Sequence, residues 1–268
     1  KSFMVKLARL TVDDVVLDTC TGSGGFLMEA MEVMTNLANG DSEKISKIQN
    51  NQLIGFEIDP ILFSLACSNM FLHGDGRTNM LFRSSLIKKD NDQDAILKKY
   101  IKSLKPNKII INPPYENNGP IKFTLQALDY LEPGGKLIII MPSVTLSDKA
   151  DDGSLKDILD IAKLDFVIKM PVSIFKEQKR TVYTSIFGFT KTPMSKEDQV
   201  IFGTLKDDGL VSVQNKGRLD KNKVWPSIEK KMLDSILQNN AVDGFSEKRR
   251  IFTDSGEIVF YGIDDKIE

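Results

Sequence analysis

Short apolar runs alternate with longer amphipathic segments along the first 192 residues of the chain. Apolar runs of this length are typical of strands buried on both faces of a parallel sheet, and the amphipathic segments have the period of helices. Strands are predicted at 15–17, 53–56, 80–82, 108–111, 136–141, 164–168 and 182–189, and helices at 3–10, 25–38, 61–72, 94–104, 121–131 and 155–162. The polar stretch 39–50 is interpreted as a loop. This alternation predicts an α/β fold with a mostly parallel, doubly wound sheet.

The pattern changes after residue 192, where the segments become shorter and more mixed. Two short apolar runs, 200–205 and 210–213, predict strands, and Trp225-Pro226 begins a helix that is predicted to end near residue 237. We therefore expect one large domain over residues 1–192 and a small C-terminal α/β extension over residues 193–268.

Composition narrows the class of protein. The 268 residues are 41% hydrophobic, which suffices for the core of one large α/β domain. Lysine and arginine (36) nearly balance aspartate and glutamate (37), and the net charge of -1 argues against a free-standing nucleic-acid binder, although a partner could still present nucleic acid as the substrate. Two cysteines and one histidine give neither a disulfide scaffold nor metal-ligand spacing, so no metal site is expected. The sequence shows no signal peptide and no apolar run of bilayer length, and the expected location is the cytoplasm.

The tetrapeptide Asn112-Pro113-Pro114-Tyr115 directly follows the apolar run 108–111. It is predicted to form a turn at the carboxyl end of a buried strand, where open α/β sheets bind their ligands. The Asn112 side chain and the Pro113 carbonyl can each accept a hydrogen bond, the prolines stiffen the turn, and Tyr115 offers a flat face for stacking. Together these groups suit an amino group on a planar heterocycle. The alternative is a proline-rich turn in which Asn112 is only a cap.

A glycine-rich loop, 18–26, lies between the first predicted strand and the following helix, and such a loop allows a ligand to approach the backbone closely. The dinucleotide fingerprint needs glycine at position 27, where this chain has Leu27, so a cofactor without a pyrophosphate fits better. Glu57 ends the second strand, where a carboxylate can accept hydrogen bonds from a ribose or, alternatively, is simply solvated. Asp59 is interpreted as a helix cap and Cys20 as a small packing residue.

The glycine loop, the acid after the second strand and the tetrapeptide after the fourth occur in the order found in S-adenosylmethionine-dependent amino-methyltransferases. The chain most closely resembles the adenine-N6 DNA methyltransferases, in particular the methylase subunit of type I restriction-modification systems. Segments 55–60, 66–74, 131–135 and 171–175 also resemble that subunit, and the likeness extends over residues 3–192. The resemblance implies a Rossmann-like methyltransferase fold, S-adenosylmethionine as the cofactor, and methyl transfer to the N6 amino group of adenine in DNA.

The resemblance also implies a role for each motif residue. The residues expected to form the cofactor site are Asp18, Gly22, Ser23, Gly24, Gly25 and Glu57. Glu57 would hold the ribose hydroxyls, and the others would shape the methionine side. Asn112 and the Pro113 carbonyl would accept the two N–H bonds of the target amine, and Tyr115 would stack on the extruded base. Phe175 is the candidate for the opposite face of that base, with a core aromatic as the alternative interpretation.

The chain departs from the family pattern in the loop after the third strand, where Ser84 stands in the place of the usual acid. The resemblance implies DNA, a DNA-specificity subunit and a restriction (nuclease) subunit as partners, and no membrane. Two other functions stay open. One is an amino-methyltransferase that acts on protein glutamine or on ribosomal RNA guanine, and the other is a cofactor-binding assembly subunit without activity.

Overall fold

The computed structural model describes residues 1–74, 79–88, 91–146, 154–171, 183–206, 209–213, 217–220 and 222–260. Its helices are α1 (Ser2–Leu7), α2 (Gly25–Leu37), α3 (Ser42–Asn51), α4 (Pro60–Leu72), α5 (Asp92–Ser103), α6 (Gly119–Tyr130), α7 (Ser154–Leu159) and α8 (Trp225–Leu237). Its strands are β1 (Val16–Asp18), β2 (Leu53–Glu57), β3 (Asn79–Phe82), β4 (Lys108–Ile111), β5 (Lys136–Pro142), β6 (Lys163–Lys169), β7 (Thr184–Thr190), β8 (Gln199–Thr204), β9 (Val211–Val213), β10 (Gly217–Leu219) and β11 (Ser246–Arg250). Within these ranges, no helix combines the length and the apolar character needed to cross a membrane.

The described strands other than β9 and β10 form one sheet in the order β11-β8-β6-β7-β5-β4-β1-β2-β3. Its central part, β3-β2-β1-β4-β5, is parallel throughout. β7 is antiparallel to both of its neighbours, β8 is parallel to β6, and β11 pairs antiparallel with β8 at the edge. The topology confirms a mostly parallel, doubly wound α/β sheet. Parallel pairing also brings the carboxyl ends of β1 to β5 to one edge, the usual ligand-binding edge of such sheets.

Each face of the sheet is covered by its own layer of helices. Ile110 in β4 belongs to a core that includes Met34 of α2 and Met70 of α4. Its neighbours Ile109 and Ile111 belong to the opposite core, to which α5, α6 and α7 contribute. This alternation follows from the two-residue period of a strand. Because both faces are buried, the central strands contain continuous apolar runs rather than alternating polar and apolar residues.

The interpretation of residues 39–50 as a loop is wrong, because α3 occupies most of this stretch. The Asp41 side chain caps the helix by accepting hydrogen bonds from the backbone N–H groups of Glu43 and Lys44, both at 3.1 Å. Ile48 supplies its buried contact with the core. Only two apolar residues, Ile45 and Ile48, mark the inner face of this otherwise polar helix, so the cap is the stronger signal in its sequence.

The residues after 193 join the main sheet and one of its helical layers. β8 and β11 extend the sheet beyond β6. The α8 helix packs against α1 through a Lys6–Glu229 ion pair of 2.7 Å and an edge-to-face contact between the rings of Phe3 and Trp225. The boundary at residue 193 stays a prediction. The predicted elements do not include β10 or β11, and the charged sequence of β11 is typical of an edge strand.

Candidate active site

Three loops, those after β1, β2 and β4, come together at the carboxyl edge of the parallel strands. Gly22, Glu57 and Asn112, one from each loop, line the same cavity of about 260 Å³. The other lining residues are Thr19, Cys20, Phe56, Ile58, Ser84, Ser85, Pro114 and Phe123. A second cavity, of about 290 Å³, lies beside the first residues of β4, β5 and β6 at the opposite edge, and none of the predicted site residues lines it. The first cavity is therefore where the predicted cofactor loop, acid and tetrapeptide converge.

The glycine loop turns sharply between β1 and α2. Gly22 and Gly24 have φ angles of +56° and +88°, in the left-handed region that favours glycine. A Cβ at Gly22 would meet no protein atom within 4 Å, so this residue keeps the cavity wall open. The Asn69 side chain of α4 donates to the Ser23 carbonyl at 2.9 Å, and Gly25 begins α2. Gly22 thus lines the cavity, whereas the other three loop residues fix the shape of the loop.

Three backbone N–H groups fix the Glu57 carboxylate. Its Oε1 accepts hydrogen bonds from Ile58 and Asp59, and its Oε2 accepts one from Gly22, each at 2.8 Å. These bonds join the end of β2 to the glycine loop. The side chain is buried, which argues against a solvated strand end. A carboxylate has about four acceptor positions, so about one is left for a ligand.

Asp18 ends β1 and is fully buried. Its Oδ1 accepts a hydrogen bond from the Cys20 N–H at 3.0 Å, whereas its Oδ2 has no hydrogen-bond partner among the described residues. Burial, reinforced by the nearby charge of Glu57, raises the pKa of Asp18 to about 7. Asp18 is not among the residues that line the cavity, so its Oδ2 is a buried acceptor without a partner among the described residues, which is costly for a charged carboxylate.

The tetrapeptide is an irregular segment after β4, and the turn before α6 lies at 117–118, outside the predicted tetrapeptide. Asn112 and Tyr115 contact each other, while Pro113 is buried. The Tyr115 hydroxyl donates a hydrogen bond to Asn112 Oδ1 at 3.2 Å. Burial raises the pKa of Tyr115 to about 12, so the hydroxyl stays protonated and able to donate at neutral pH. A Cβ at Gly119 would lie 2.1 Å from the Pro114 carbonyl oxygen. The path of the chain after the tetrapeptide therefore depends on a glycine outside the predicted motif.

Comparison with known proteins identifies the family of the chain. The sequence profile of the N-6 DNA methylase family matches residues 1–251. The chain belongs to the N-6 DNA methylase family. Over 221 residues it is 34% identical to the type II restriction enzyme and methyltransferase RM.BcgI of Heyndrickxia coagulans, a match that covers 78% of this chain and 33% of that protein.

Solved structures share the fold of this family member. A modification subunit assigned to a type I restriction enzyme of Vibrio vulnificus aligns with a TM-score of 0.70 at 18% identity, over 96% of this chain and 56% of that one. The methyltransferase subunit of a type I restriction-modification system from Streptococcus thermophilus aligns with a TM-score of 0.65 at 18% identity, over 93% of this chain and 54% of that one. The chain thus spans about a third of the curated relative and about half of these subunits.

Some residues line the cavity although the motifs of the sequence do not predict them there. Ile58, directly after Glu57, is 66% exposed, and Phe123 reaches the cavity from α6. Because they lie on different elements, no sequence spacing connects them. Cys20 is half-buried on the cavity wall, where burial raises the pKa of its thiol, and its interpretation as a small packing residue stays a prediction. Phe175 lies outside the described residues.

Asp18 is expected to make the stability of this protein depend on pH. The folded chain holds the Asp18 proton up to about pH 7, whereas an unfolded aspartate loses it near pH 3.9. Stability should fall as the pH rises through this interval, because the folded state binds more protons than the unfolded state. Asp18→Asn should therefore raise the midpoint of thermal unfolding at pH 8 more than at pH 5. Asp13→Asn, at an exposed carboxylate before β1, is the control. If the midpoint of thermal unfolding shifts equally in both variants, the raised pKa of Asp18 is contradicted.

Proposed function

We propose that this chain transfers a methyl group from S-adenosylmethionine to the N6 amino group of adenine in DNA, as the modification subunit of a restriction-modification system. The shared cavity is the observation that supports the proposal most directly, because Gly22, Glu57 and Asn112 line it together. A cofactor held by the glycine loop and Glu57 would lie within reach of an amine held at Asn112. Membership of the N-6 DNA methylase family supports the same chemistry.

The residues around the cavity fit S-adenosylmethionine, which supplies an electrophilic methyl group when it is bound. Glu57 has about one acceptor position left for a ribose hydroxyl after its three backbone bonds. Asp18 is fully buried and does not line the cavity, so its proposed role is to shape the glycine loop through the hydrogen bond that it accepts from the Cys20 N–H. Ile58 and Phe123 offer apolar surface for a flat base, and Ser84 adds a hydroxyl to the same wall.

Two acceptors at the tetrapeptide would bind the target amine, namely the Asn112 side-chain carbonyl and the Pro113 backbone carbonyl. The amino group of adenine is a weak nucleophile because its lone pair is delocalised into the ring. Two fixed acceptors draw its N–H bonds into an orientation that frees the lone pair, and they need no reorganisation during the reaction. The 3.2 Å hydrogen bond from Tyr115 keeps Asn112 in place. This step requires no titrating base.

The adenine amine cannot reach the cavity while the base is stacked in a duplex, so the base must be extruded. Tyr115 is half-buried beside Asn112 and would stack on one face of the extruded base. Phe175, which lies outside the described residues, is our candidate for the other face. Stacking of this kind is tolerant of sequence, so it would hold the base while the acceptors select the amine.

Two variants of Tyr115 separate its two roles. Tyr115→Phe keeps the ring and loses the hydrogen bond to Asn112, which is worth about 0.5–1.5 kcal/mol, so the single-turnover rate should fall only severalfold. Tyr115→Ala also loses base stacking, worth about 1–3 kcal/mol, and DNA binding in the methylation assay should weaken further by about five- to 150-fold. Equal DNA affinity in the Tyr115→Phe and Tyr115→Ala variants would argue against stacking.

Methyl transfer from S-adenosylmethionine with a labelled methyl group tests the proposed reaction. The chain, expressed together with its neighbouring candidate specificity subunit, should place the label in N6-methyladenine after digestion of the DNA. Parallel reactions contain ribosomal RNA or protein substrates. Label in RNA guanine or protein glutamine, with none in DNA, would favour the alternative amino-methyltransferase. Cofactor binding without any transfer would favour the assembly subunit.

We further propose that a separate DNA-specificity subunit supplies sequence recognition, and that a restriction (nuclease) subunit joins the same assembly. The net charge of -1 supports this, because a chain that reads DNA alone needs clustered basic contacts to phosphates. The candidate contacts are Lys216, Arg218, Lys221 and Lys223, with a solvated loop as the alternative. Lys216 and Lys221 lie outside the described residues, and Lys223 is exposed.

The isolated chain is therefore expected to bind DNA weakly and without sequence preference. Gel-shift titrations at moderate salt, with duplexes that differ in sequence, should give the same low affinity for each. Addition of the specificity subunit should create a preferred site. A tight, sequence-specific complex of the isolated chain would instead make it a self-sufficient methyltransferase.

A further inference from the structure

We propose that the second cavity, at the amino edge of the sheet, binds a small phosphate monoester that carries an apolar group. This amino-edge cavity measures about 290 Å³, compared with about 260 Å³ for the candidate active site. Four of its lining side chains are basic, namely Arg9, Lys108, Lys136 and Lys163. Among the described residues, Asp165 is the only acid in the lining. In a chain whose net charge is -1, this local excess of positive charge in a concave site favours an anionic ligand.

The register of the sheet places three of these bases in one row. Lys108 of β4 lies directly beside Lys136 of β5, and Lys136 and Lys163 both pair with Thr190 of the intervening strand β7. Adjacent strands are about 4.8 Å apart, so the ammonium groups of Lys108 and Lys136 can reach the same anion. Like charges in directly opposed positions repel each other, so the row needs compensating anions.

Carboxylates neutralise part of this charge. The Lys136 ammonium lies 3.1 Å from the Asp165 carboxylate, and the Lys163 ammonium lies 2.6 Å from the Asp198 carboxylate. Arg9, in contrast, is exposed and pairs with no carboxylate among the described residues. Its guanidinium can therefore bind two oxygens of a phosphate without first breaking an ion pair.

Lys108 is the most deeply buried of the three lysines. Its side chain is 14% exposed, and its ammonium donates a hydrogen bond to the Ala8 carbonyl at 2.8 Å. The Asp14 carboxylate is 4.0 Å away, too far for a hydrogen bond. Burial lowers the pKa of this ammonium group; Asp14 opposes the shift, and Lys136 and Arg9 reinforce it. Because an ammonium has three donors, two remain for an anion that would relieve the repulsion.

The rest of the lining is largely apolar and favours an organic phosphate over the bare ion. Ile138 and Phe166 follow the basic row along β5 and β6, and Ile201 of β8 and Ile236 of α8 complete this wall. An apolar lining with a few convergent polar groups is typical of small-molecule sites. The volume of about 290 Å³ lies at the small end of the range for such sites, so the apolar group is of the size of one ring.

The number and placement of the bases favour phosphate over carboxylate. A phosphate monoester carries about 1.5–2 negative charges at pH 7 and has three strong acceptor oxygens. These oxygens can contact Arg9, Lys108 and Lys136 from separate directions. A carboxylate brings one charge and two oxygens in one plane, so it would leave more of the row uncompensated.

Titration calorimetry of the complete 268-residue chain, in a buffer without phosphate, tests the proposal. Phenyl phosphate should bind with a dissociation constant below about 1 mM. Inorganic phosphate lacks the ring and benzoate lacks the second charge, so each should bind at least about fivefold more weakly. If phenyl phosphate does not bind, or if either of the other anions binds as tightly, the proposal is overturned.

Two variants locate the bound anion. Arg9→Gln should weaken phenyl phosphate on the order of tenfold, the effect of one charge-assisted hydrogen bond, and should leave the fold intact because Arg9 is exposed. Lys136→Gln should lose at least as much, with thermal unfolding to verify that it is folded. Lys47→Gln, at an exposed lysine of α3 outside the lining, is the matched control and should bind like the parent. Equal affinity in Arg9→Gln and Lys47→Gln would overturn the proposal.

A competition titration distinguishes a small ligand from the DNA backbone, which carries the same phosphate group. The cavity lies at the amino edge of the sheet, opposite the edge that holds the tetrapeptide, which favours the small ligand. Short duplex DNA should therefore not displace phenyl phosphate, and Arg9→Gln should bind the duplex as the parent does. Displacement by the duplex, together with weaker duplex binding in Arg9→Gln, would assign the row to DNA and overturn the proposal.

Discussion

Asn112→Ala should remove most methyl transfer and leave S-adenosylmethionine binding nearly unchanged. The side-chain carbonyl of Asn112 is one of the two acceptors proposed for the target amine, and the hydrogen bond from Tyr115 holds it in position. Loss of one preorganised hydrogen-bonding group typically lowers a rate by about 10²–10³, and we expect at least that loss here. Single-turnover methylation of DNA measures the rate, and calorimetry measures cofactor affinity.

Asn112→Asp is the matched control, because it keeps an acceptor of the same length in the same place. It should retain clearly more activity than Asn112→Ala. Cofactor affinity should change by no more than a small factor in either variant. Methyl transfer at the parental rate in Asn112→Ala would contradict the mechanism, and a parallel loss of cofactor affinity would move Asn112 into the cofactor site.

Glu57→Ala should weaken S-adenosylmethionine binding by roughly 1.5–3 kcal/mol, the usual value for hydrogen bonds to a charged group. This corresponds to an increase of about ten- to 150-fold in the dissociation constant. The loss has two sources: the acceptor for the ribose disappears, and the Gly22 N–H loses the 2.8 Å bond that fixes the glycine loop. Titration calorimetry with the folded variant measures the effect.

Asp59→Ala provides the control two residues away. Its Oδ1 accepts hydrogen bonds from the Ile61 and Leu62 N–H groups at 2.9 Å, which makes it the cap of α4. Removing this cap should lower the free energy of unfolding by about 1 kcal/mol and leave cofactor affinity almost unchanged. If Glu57→Ala behaves like Asp59→Ala, Glu57 is a structural residue and not a cofactor ligand.

The parallel centre of the fold was predictable because burial on both faces leaves its strands without polar residues. The 108–111 run specifies a strand, and the tetrapeptide after it therefore lies at the carboxyl edge of the parallel sheet. Elements with little buried surface were harder to predict. The α3 helix has only two apolar residues, and β11 is a charged edge strand, so the apolar pattern on which sequence analysis depends is weak in both.

Part of the candidate site was likewise predictable from the sequence and part was not. Asp18, Gly22, Glu57 and Asn112 come from motifs that are contiguous in sequence, so their loops could be named in advance. The protonation and the hydrogen bonds of these groups could not be predicted, because the raised pKa of Asp18 and the backbone bonds of Glu57 depend on burial and on neighbours from other loops. Phe123 illustrates the remaining gap, since it reaches the cavity from a helix whose sequence is ordinary.

The contact between α1 and α8 has a consequence for how the chain matures. The Lys6–Glu229 ion pair joins residues 223 positions apart. At a synthesis rate of roughly 5–20 residues per second, α1 waits about 10–45 s before α8 leaves the ribosome. Contacts so distant in sequence also slow folding after release. Throughout this interval α1 can pack against α2 but lacks its contact with α8. The apolar ring of Phe3 therefore stays without Trp225, and the newborn chain remains open to aggregation there until α8 has been made.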